Sequence, residues 1–161
     1  MTAPGTGHER LSADEVAALL ALEPLPHEGG RFRRTYHDGR SSAIYFLLGA
    51  DDASALHRLT VPEVWHHYLG DPVELVVLHP DGRDEQLRLG SDLRAGERPQ
   101  IVVPGGTWQG AVSTGTMSLV GTTMAPPYDQ EDFALGDPGV LARRHPAVAP
   151  LLRRIAARAT G

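Results

Sequence analysis

The chain changes its hydrophobic rhythm twice. Near the start, Ser12-x-x-Glu15 sets a capping-box pair ahead of Val16, Leu19 and Leu20, apolar positions three and four apart. This predicts a short helix that ends before Pro24. Pro24-Leu25-Pro26-His27-Glu28-Gly29-Gly30 follows as a turn-rich connector. From there the period is two. Strands are expected over Arg31–Tyr36, Ser42–Leu48, Ala55–Leu59, Glu63–Leu69, Val73–Leu78 and Gln86–Leu89, then over Ile101–Val103, Trp108–Val112 and Met117–Met124. Asp81-Gly82 marks a tight hairpin between the fifth and the sixth. After Asp137-Pro138, an N-cap with proline at the first helical position, the pattern turns helical again. Pro146 and Pro150 are expected to break this tail into two short helical pieces.

Short strands with a turn every 8–12 residues predict an all-β sandwich or barrel. No helix of useful length is expected between Gly30 and Ala125, which argues against a parallel α/β sheet. Residues 11–161 are read as one domain, long enough for a real core. Residues 1–10 are polar, lack the apolar stretch of a secretory signal, and are read as a disordered leader.

Composition narrows the function classes. A formal charge of −5 argues against nucleic acid as the main partner, since phosphate binding needs a basic face. Arg153, Arg154 and Arg158 are read as the solvated face of the last helix. With no cysteine, disulfides, thiol nucleophiles and thiolate metal sites are ruled out, and a cytoplasmic location is expected. The longest apolar stretch, Ala43 to Leu48, is too short for a membrane span.

Candidate chemistry comes from strand parity. His57 and Leu59 point one way on their strand; Glu63, Trp65 and His67 share a face on the next, with His66 and Tyr68 opposite. An inward imidazole, carboxylate, indole and second imidazole make an unusual core and imply a cavity. The alternative is a satisfied His57–Glu63 pair with only a structural role. His66 is assigned to a dimer interface, and His66-His67 cannot chelate as neighbours on one strand. Gly105-Gly106 allows a tight turn that sets Trp108 and Gln109 at the start of the following strand. Arg33, if inward, would clamp a carboxylate or phosphate; otherwise it pairs at the rim. Tyr128 follows the last strand, where the tail can cross a barrel mouth. His79 and His145 precede prolines in turns and are expected to be exposed.

His57-x-Leu59-x3-Glu63-x6-Gly70 and Pro104-x-Gly106-x2-Gln109 have the spacing of the two cupin motifs, with Leu59 and Gln109 in place of two metal-binding histidines. The wider sequence resembles the DUF985 or Cupin_5 family. The matching blocks run from Pro26-His27-Glu28-Gly29-Gly30-Arg31-Phe32-Arg33 through Ala43–Leu48, His57-Arg58-Leu59, Glu63-Val64-Trp65-His66 and Gly70-Asp71-Pro72. They continue with Pro99-Gln100, Pro104–Gln109 and Glu131-Asp132-Phe133. The resemblance implies a cupin double-stranded β-helix, a jelly-roll barrel with short N- and C-terminal helices, paired as a homodimer, with no firmly assigned reaction. Leu56 and Gln130 depart from the family, which often has Trp and an aromatic there; both are expected to alter the pocket lining.

Three functions are expected on these grounds. The first is a metal-independent isomerase or epimerase acting on a sugar-like or carbonyl metabolite. In it His57 is the base, Glu63 orients it, Tyr128 returns the proton, and Arg33, Trp65, His67 and Gln109 bind the ligand. The second is a non-catalytic binder of a nucleobase, sugar nucleotide or small acid. The third is a metal enzyme using His57, Glu63 and Gln109, a donor set that leaves room only for a weakly held divalent ion. No cofactor is expected. The predicted partners are a small-molecule ligand and a second copy of the chain, bound through the strand around Phe32–Tyr36.

Overall fold

The computed structural model describes residues 10–160, so the expected leader lies almost wholly outside the described residues. Its last member, Arg10, pairs with Asp71 at 2.6 Å. Eleven strands form two antiparallel sheets. They are β1 (Glu23–Pro24), β2 (Arg31–His37), β3 (Ser42–Gly49), β4 (Ser54–Leu59), β5 (Glu63–Gly70), β6 (Val73–Leu78), β7 (Asp84–Leu89), β8 (Gln100–Val103), β9 (Trp108–Ser113), β10 (Met117–Met124) and β11 (Phe133–Leu135). The six-stranded sheet runs β1-β2-β3-β10-β5-β8, and the five-stranded sheet β11-β4-β9-β6-β7. Among the described residues the α-helices stand at the ends, α1 (Ala13–Leu19), α2 (Pro138–Arg144) and α3 (Ala149–Ala159), and a single 3-10 turn, Leu93–Ala95, lies between β7 and β8. None of them is long and apolar enough to cross a membrane.

The inner faces of both sheets meet in a core of Phe46, Leu48, Trp65, Leu75, Val77, Leu89, Val103, Ala111 and Val120. The five-stranded sheet is buried on its outer face too. Leu56, Val76, Leu78 and Val112 pack there against Leu141, Leu151, Leu152 and Ile155 of the C-terminal helices. That double burial is why β6 reads as a nearly unbroken apolar run rather than an alternation. The outer face of the six-stranded sheet is covered only at one end, where Val16 and Ala17 of α1 meet Leu47, Met117 and Leu119. The rest is open: Tyr68 is 48% and Val102 58% exposed. There Tyr45 meets Tyr68 edge-on at 6.0 Å, and Arg33 lies over the Tyr45 ring at 5.8 Å.

The structure corrects four readings. Two strands were missed, β1 and β11, because two- and three-residue segments show no period. Pro150 does not break the tail: it sits in the first turn of α3, where its missing N–H is no loss. Pro146 does lie in the break between α2 and α3. His145 is buried and lies 3.3 Å from Asp84, and His79 is half-buried and bonded to Glu85 at 2.6 Å. Carboxylates of β7 thus draw in two imidazoles expected in solvent.

Leu152, fully buried between α3 and the five-stranded sheet, tests the outer core. Leu152→Ala is expected to lower unfolding free energy by about 2–5 kcal/mol in urea denaturation. A loss under about 1 kcal/mol would mean that α3 is not packed as described.

Candidate functional site

Two connectors cross the barrel mouth, and each is hydrogen-bonded to the five-stranded sheet. The first joins β1 to β2 and carries Glu28. Ala55 N donates to the Glu28 carbonyl at 2.8 Å, and Ser54 Oγ donates to its carboxylate Oε1 at 2.8 Å, which ties this loop to β4. Backbone conformation makes this possible: His27 and Gly29 both have positive φ (68° and 103°), and a Cβ at Gly29 would collide with the Ala53 carbonyl. The second connector leads from β10 to β11. Tyr128 N donates to Ser42 Oγ at 2.9 Å on one sheet, and Thr60 N donates to the Asp132 carbonyl at 3.2 Å on the other. Asp129 caps the short turn between them.

Under these connectors lies a cavity of about 250 Å³. Its walls include Leu25, Phe32, Ile44, Leu59, Met124 and Phe133; its polar groups are His27, Glu28, Glu63, Thr122, Arg34, Ser42, Tyr128 and Gln130. Leu25, Phe32 and Ile44 also pack on the barrel core, so the core is the cavity's floor.

Glu63 is the most buried charged side chain of the lining, 7% exposed. Behind it runs a relay of two hydrogen bonds. Trp65 Nε1–H donates to Gln109 Oε1 at 2.8 Å, and Gln109 Nε2 donates to Glu63 Oε1 at 3.1 Å. An indole nitrogen can only donate, so the amide oxygen must face Trp65 and the amide nitrogen must face Glu63. Glu63 Oε1 is therefore always an acceptor, and a proton on this carboxyl sits on Oε2. Burial first, and the charge of Glu28 second, raise the Glu63 pKa to about 7; the hydrogen bonds from Thr122 and Gln109 and the field of His57 oppose the rise.

His57 does not line the cavity. It is 1% exposed, its Nδ1–H donates to the Ala55 carbonyl at 2.6 Å, and Phe133 stacks on its ring at 5.3 Å. A carbonyl only accepts, so the proton belongs on Nδ1 and the basic nitrogen of the neutral ring is Nε2. That atom faces Glu28 Oε1 at 3.8 Å. His57 thus reaches the cavity only through Glu28.

Parity alone misplaced the other candidates. Trp65 belongs to the core, and Gln109 is buried behind Glu63. His67 shares their face but bonds the Asp71 carbonyl at 3.3 Å, at the far end of the strand. Four strand residues span about 13 Å, so one face does not mean one cavity. Arg33 points outward over Tyr45, and its neighbour Arg34 lines the cavity instead. His66 lies on the open outer face, with Nε2 2.9 Å from Thr123 Oγ1. Tyr128 does line the cavity; its phenol donates to Gln130 Oε1 at 2.9 Å. Burial, then the charges of Glu28 and Glu63, push its pKa up, so it keeps its proton. Of the two family departures, Gln130 joins the lining, while Leu56 packs on the C-terminal helices.

His27, Glu28, Arg34, Ser42, Thr122 and Phe133 are among the cavity residues that sequence reasoning missed. Glu28 stands in one of the family-like blocks, and its flanking His27 and Gly29-Gly30 mark a turn. Nothing in a loop's sequence states where its side chain points.

Among the described residues no three His, Asp or Glu side chains form a group that could hold a metal ion. The donor set fits one poorly. The Gln109 oxygen is taken by Trp65, Leu59 offers nothing, and His57 Nε2 faces Glu28.

Comparison with known proteins agrees with this architecture. The family Cupin_5, described as Cupin superfamily (DUF985), matches residues 14–136. The crystal structure of a Shewanella oneidensis protein superposes with a TM-score of 0.82 at 33% identity, covering 91% of this chain and 98% of that one. A hypothetical protein from Leishmania major gives a TM-score of 0.79 at 26% identity, over 89% and 98% of the two chains. An uncharacterized Saccharomyces cerevisiae protein is 26% identical over 98 residues, 58% of this chain; the match spans 49% of the yeast protein's length.

The raised Glu63 pKa makes stability depend on pH. Below about pH 4.5 the carboxyl is protonated in both folded and unfolded chains. Between 4.5 and about 7 the folded chain keeps a proton that the unfolded chain gives up, so stability falls as pH rises through this window, by on the order of 3 kcal/mol in all. Glu63→Gln keeps the bond from Gln109 and removes the titration. Urea unfolding at pH 5 and pH 8 is expected to show the variant gaining on the parent at the higher pH. Parallel curves would place the Glu63 pKa near its ordinary value.

Proposed function

From the premise that this chain belongs to the Cupin_5 (DUF985) family of the cupin superfamily, we propose that it is a metal-independent, small-molecule cupin that moves a proton on a carbonyl or sugar-like metabolite, as an isomerase or epimerase does. One observation carries the reading: a buried carboxyl, clamped from behind on one oxygen, opens with the other onto an enclosed, mostly apolar cavity. A proton-transfer group works best when its pKa lies near the operating pH, and Glu63 at about 7 meets that condition. The low-dielectric walls strengthen its interaction with charge that develops on the substrate.

In this scheme Glu63, rather than the His57 expected from sequence, takes the proton from the carbon next to the carbonyl, on Oε2. His57 and Ser54 hold Glu28, whose charge sets the basicity of Glu63. Tyr128 is the second proton-bearing group on the wall and returns a proton to the enolate carbon or oxygen. A cavity of about 250 Å³ lies just under the roughly 300–1,000 Å³ of sites for drug-sized ligands, so a monosaccharide-sized molecule fits whole. A nucleotide portion would have to stay outside.

The test is hydrogen exchange. Small 2-oxo acids and aldoses are incubated with the protein in D2O and followed by proton NMR. Deuterium is expected to enter at the carbon next to the carbonyl of at least one of them, and Glu63→Gln is expected to slow this at least about 100-fold while ligand binding survives. Binding without exchange in the parent protein would make the cavity a ligand-sensing site. Exchange that needs added divalent metal would restore the metal-enzyme alternative.

We also propose that the protein is a homodimer joined through the six-stranded sheet. β1 covers only Arg31 and Phe32 of β2, leaving the edge of Arg33–His37 unpaired, with Tyr36 53% exposed. The open face of Tyr45, Tyr68 and Val102 lies on the same sheet. Light scattering at micromolar concentration should return twice the 17.3 kDa chain mass, and Val102→Asp should halve it. A parent protein that scatters as a single chain refutes the dimer.

A further inference from the structure

Arg34 lines the cavity, and the proton-transfer scheme leaves it unused. It lies on the inward side of β2, paired in register with Ile44, whose side chain forms the cavity wall. The residue is exposed, so its guanidinium stands at the mouth, while Glu63 is buried at the other extreme. Two carboxyls share its cavity, yet Arg34 enters none of the ion pairs among the described residues. Both acids are otherwise engaged. Glu28 accepts from Ser54 and faces His57, and Glu63 accepts from Gln109. A cation on the inner face of a barrel that pairs with neither of the acids there has a planar fork of donors left for a ligand.

We propose that the cavity selects a small anion, its carboxylate or phosphate seated on Arg34 at the mouth and a hydroxyl or carbonyl at its other end against Glu63. The body between them lies on Phe32, Ile44 and Phe133. The sense of the ligand is dictated by charge. An anionic group at the closed end would meet Glu28 and Glu63 in a low dielectric, where like charges repel strongly. A cationic ligand finds neither carboxyl with both oxygens free. The assignment rests on the cavity being a ligand site, as in the proposed function, and adds which end of the ligand is charged.

Calorimetric titration of the full chain tests it with four probes that differ in one group: 4-hydroxybenzoate, 4-hydroxyphenyl phosphate, 4-hydroxybenzamide and 4-hydroxybenzylamine. The two anions are expected to bind more tightly than the amide, and the amine not at all. Arg34→Met keeps an unbranched apolar stem at an exposed position and removes the charge, and an unchanged thermal melt confirms its fold. It should weaken the preferred anion about 10–100-fold and leave the amide unaltered. 4-Hydroxyphenyl phosphate ahead of 4-hydroxybenzoate assigns a phosphate ligand, and the reverse order a carboxylate. Acid and amide binding alike, insensitive to Arg34→Met but lost in Glu63→Gln, would overturn the anion assignment and leave the cavity reading standing. The amine binding best would overturn it in favour of a cation. No binding by any probe, or binding untouched by both variants, would remove the assignment and the cavity reading together.

Discussion

A buried indole N–H has one thing to give and must give it. Trp65 is fully enclosed in the barrel core, and its donor ends on the Gln109 amide oxygen. From that single demand the polarity of the site follows. The amide cannot flip, its nitrogen must donate to Glu63 Oε1, and the carboxyl is left with one oxygen for the cavity. The same demand spoils the metal-binding arrangement of the wider superfamily: the amide oxygen that would be a ligand is already bonded to the core. Leu59 adds an apolar side chain to the cavity wall.

The cavity exists because the barrel is filled only part way. Phe46, Trp65, Leu75 and their neighbours close the lower part between the sheets. Above them, side chains stop short, and two connectors span the gap from sheet to sheet. Both bring chemistry with them: the first carries Glu28 and the second Tyr128. The lid and the reactive groups are therefore the same segments, so any opening of the mouth would also move the charge that tunes Glu63.

The two sheets differ in their cover. α2 and α3 hide the outer face of the five-stranded sheet, and His145, drawn in by Asp84, anchors the turn between these helices. The six-stranded sheet keeps a face of Tyr45, Tyr68 and Val102 that only the short α1 borders. Arg33 belongs to this outer face and Arg34 to the cavity, a division made by one step along β2.

Periodicity was enough to read the nine longer strands, the terminal helices and the pairing of Glu63 with Trp65 on one face, because a strand's alternation is a local property of its backbone. The motif spacing also singled out Gln109, though not its role. Depth was not legible. His67 and Trp65 share the parity of Glu63 but lie lower along the same strand, and only the closed barrel decides where core ends and cavity begins. His57 looked like the base because its face is inward; Phe133, 76 residues later in the chain, stacks on it, and Glu28, 29 residues earlier, stands before its free nitrogen. A loop has no period from which to read the direction of a side chain. The backbone that points Glu28 into the barrel depends on a glycine pressed against a carbonyl of another connector. The sequence determined the scaffold and the deep carboxyl, because strand alternation and motif spacing are written locally. Tertiary structure alone decided which groups meet the ligand, because that depends on contacts between residues far apart in the chain.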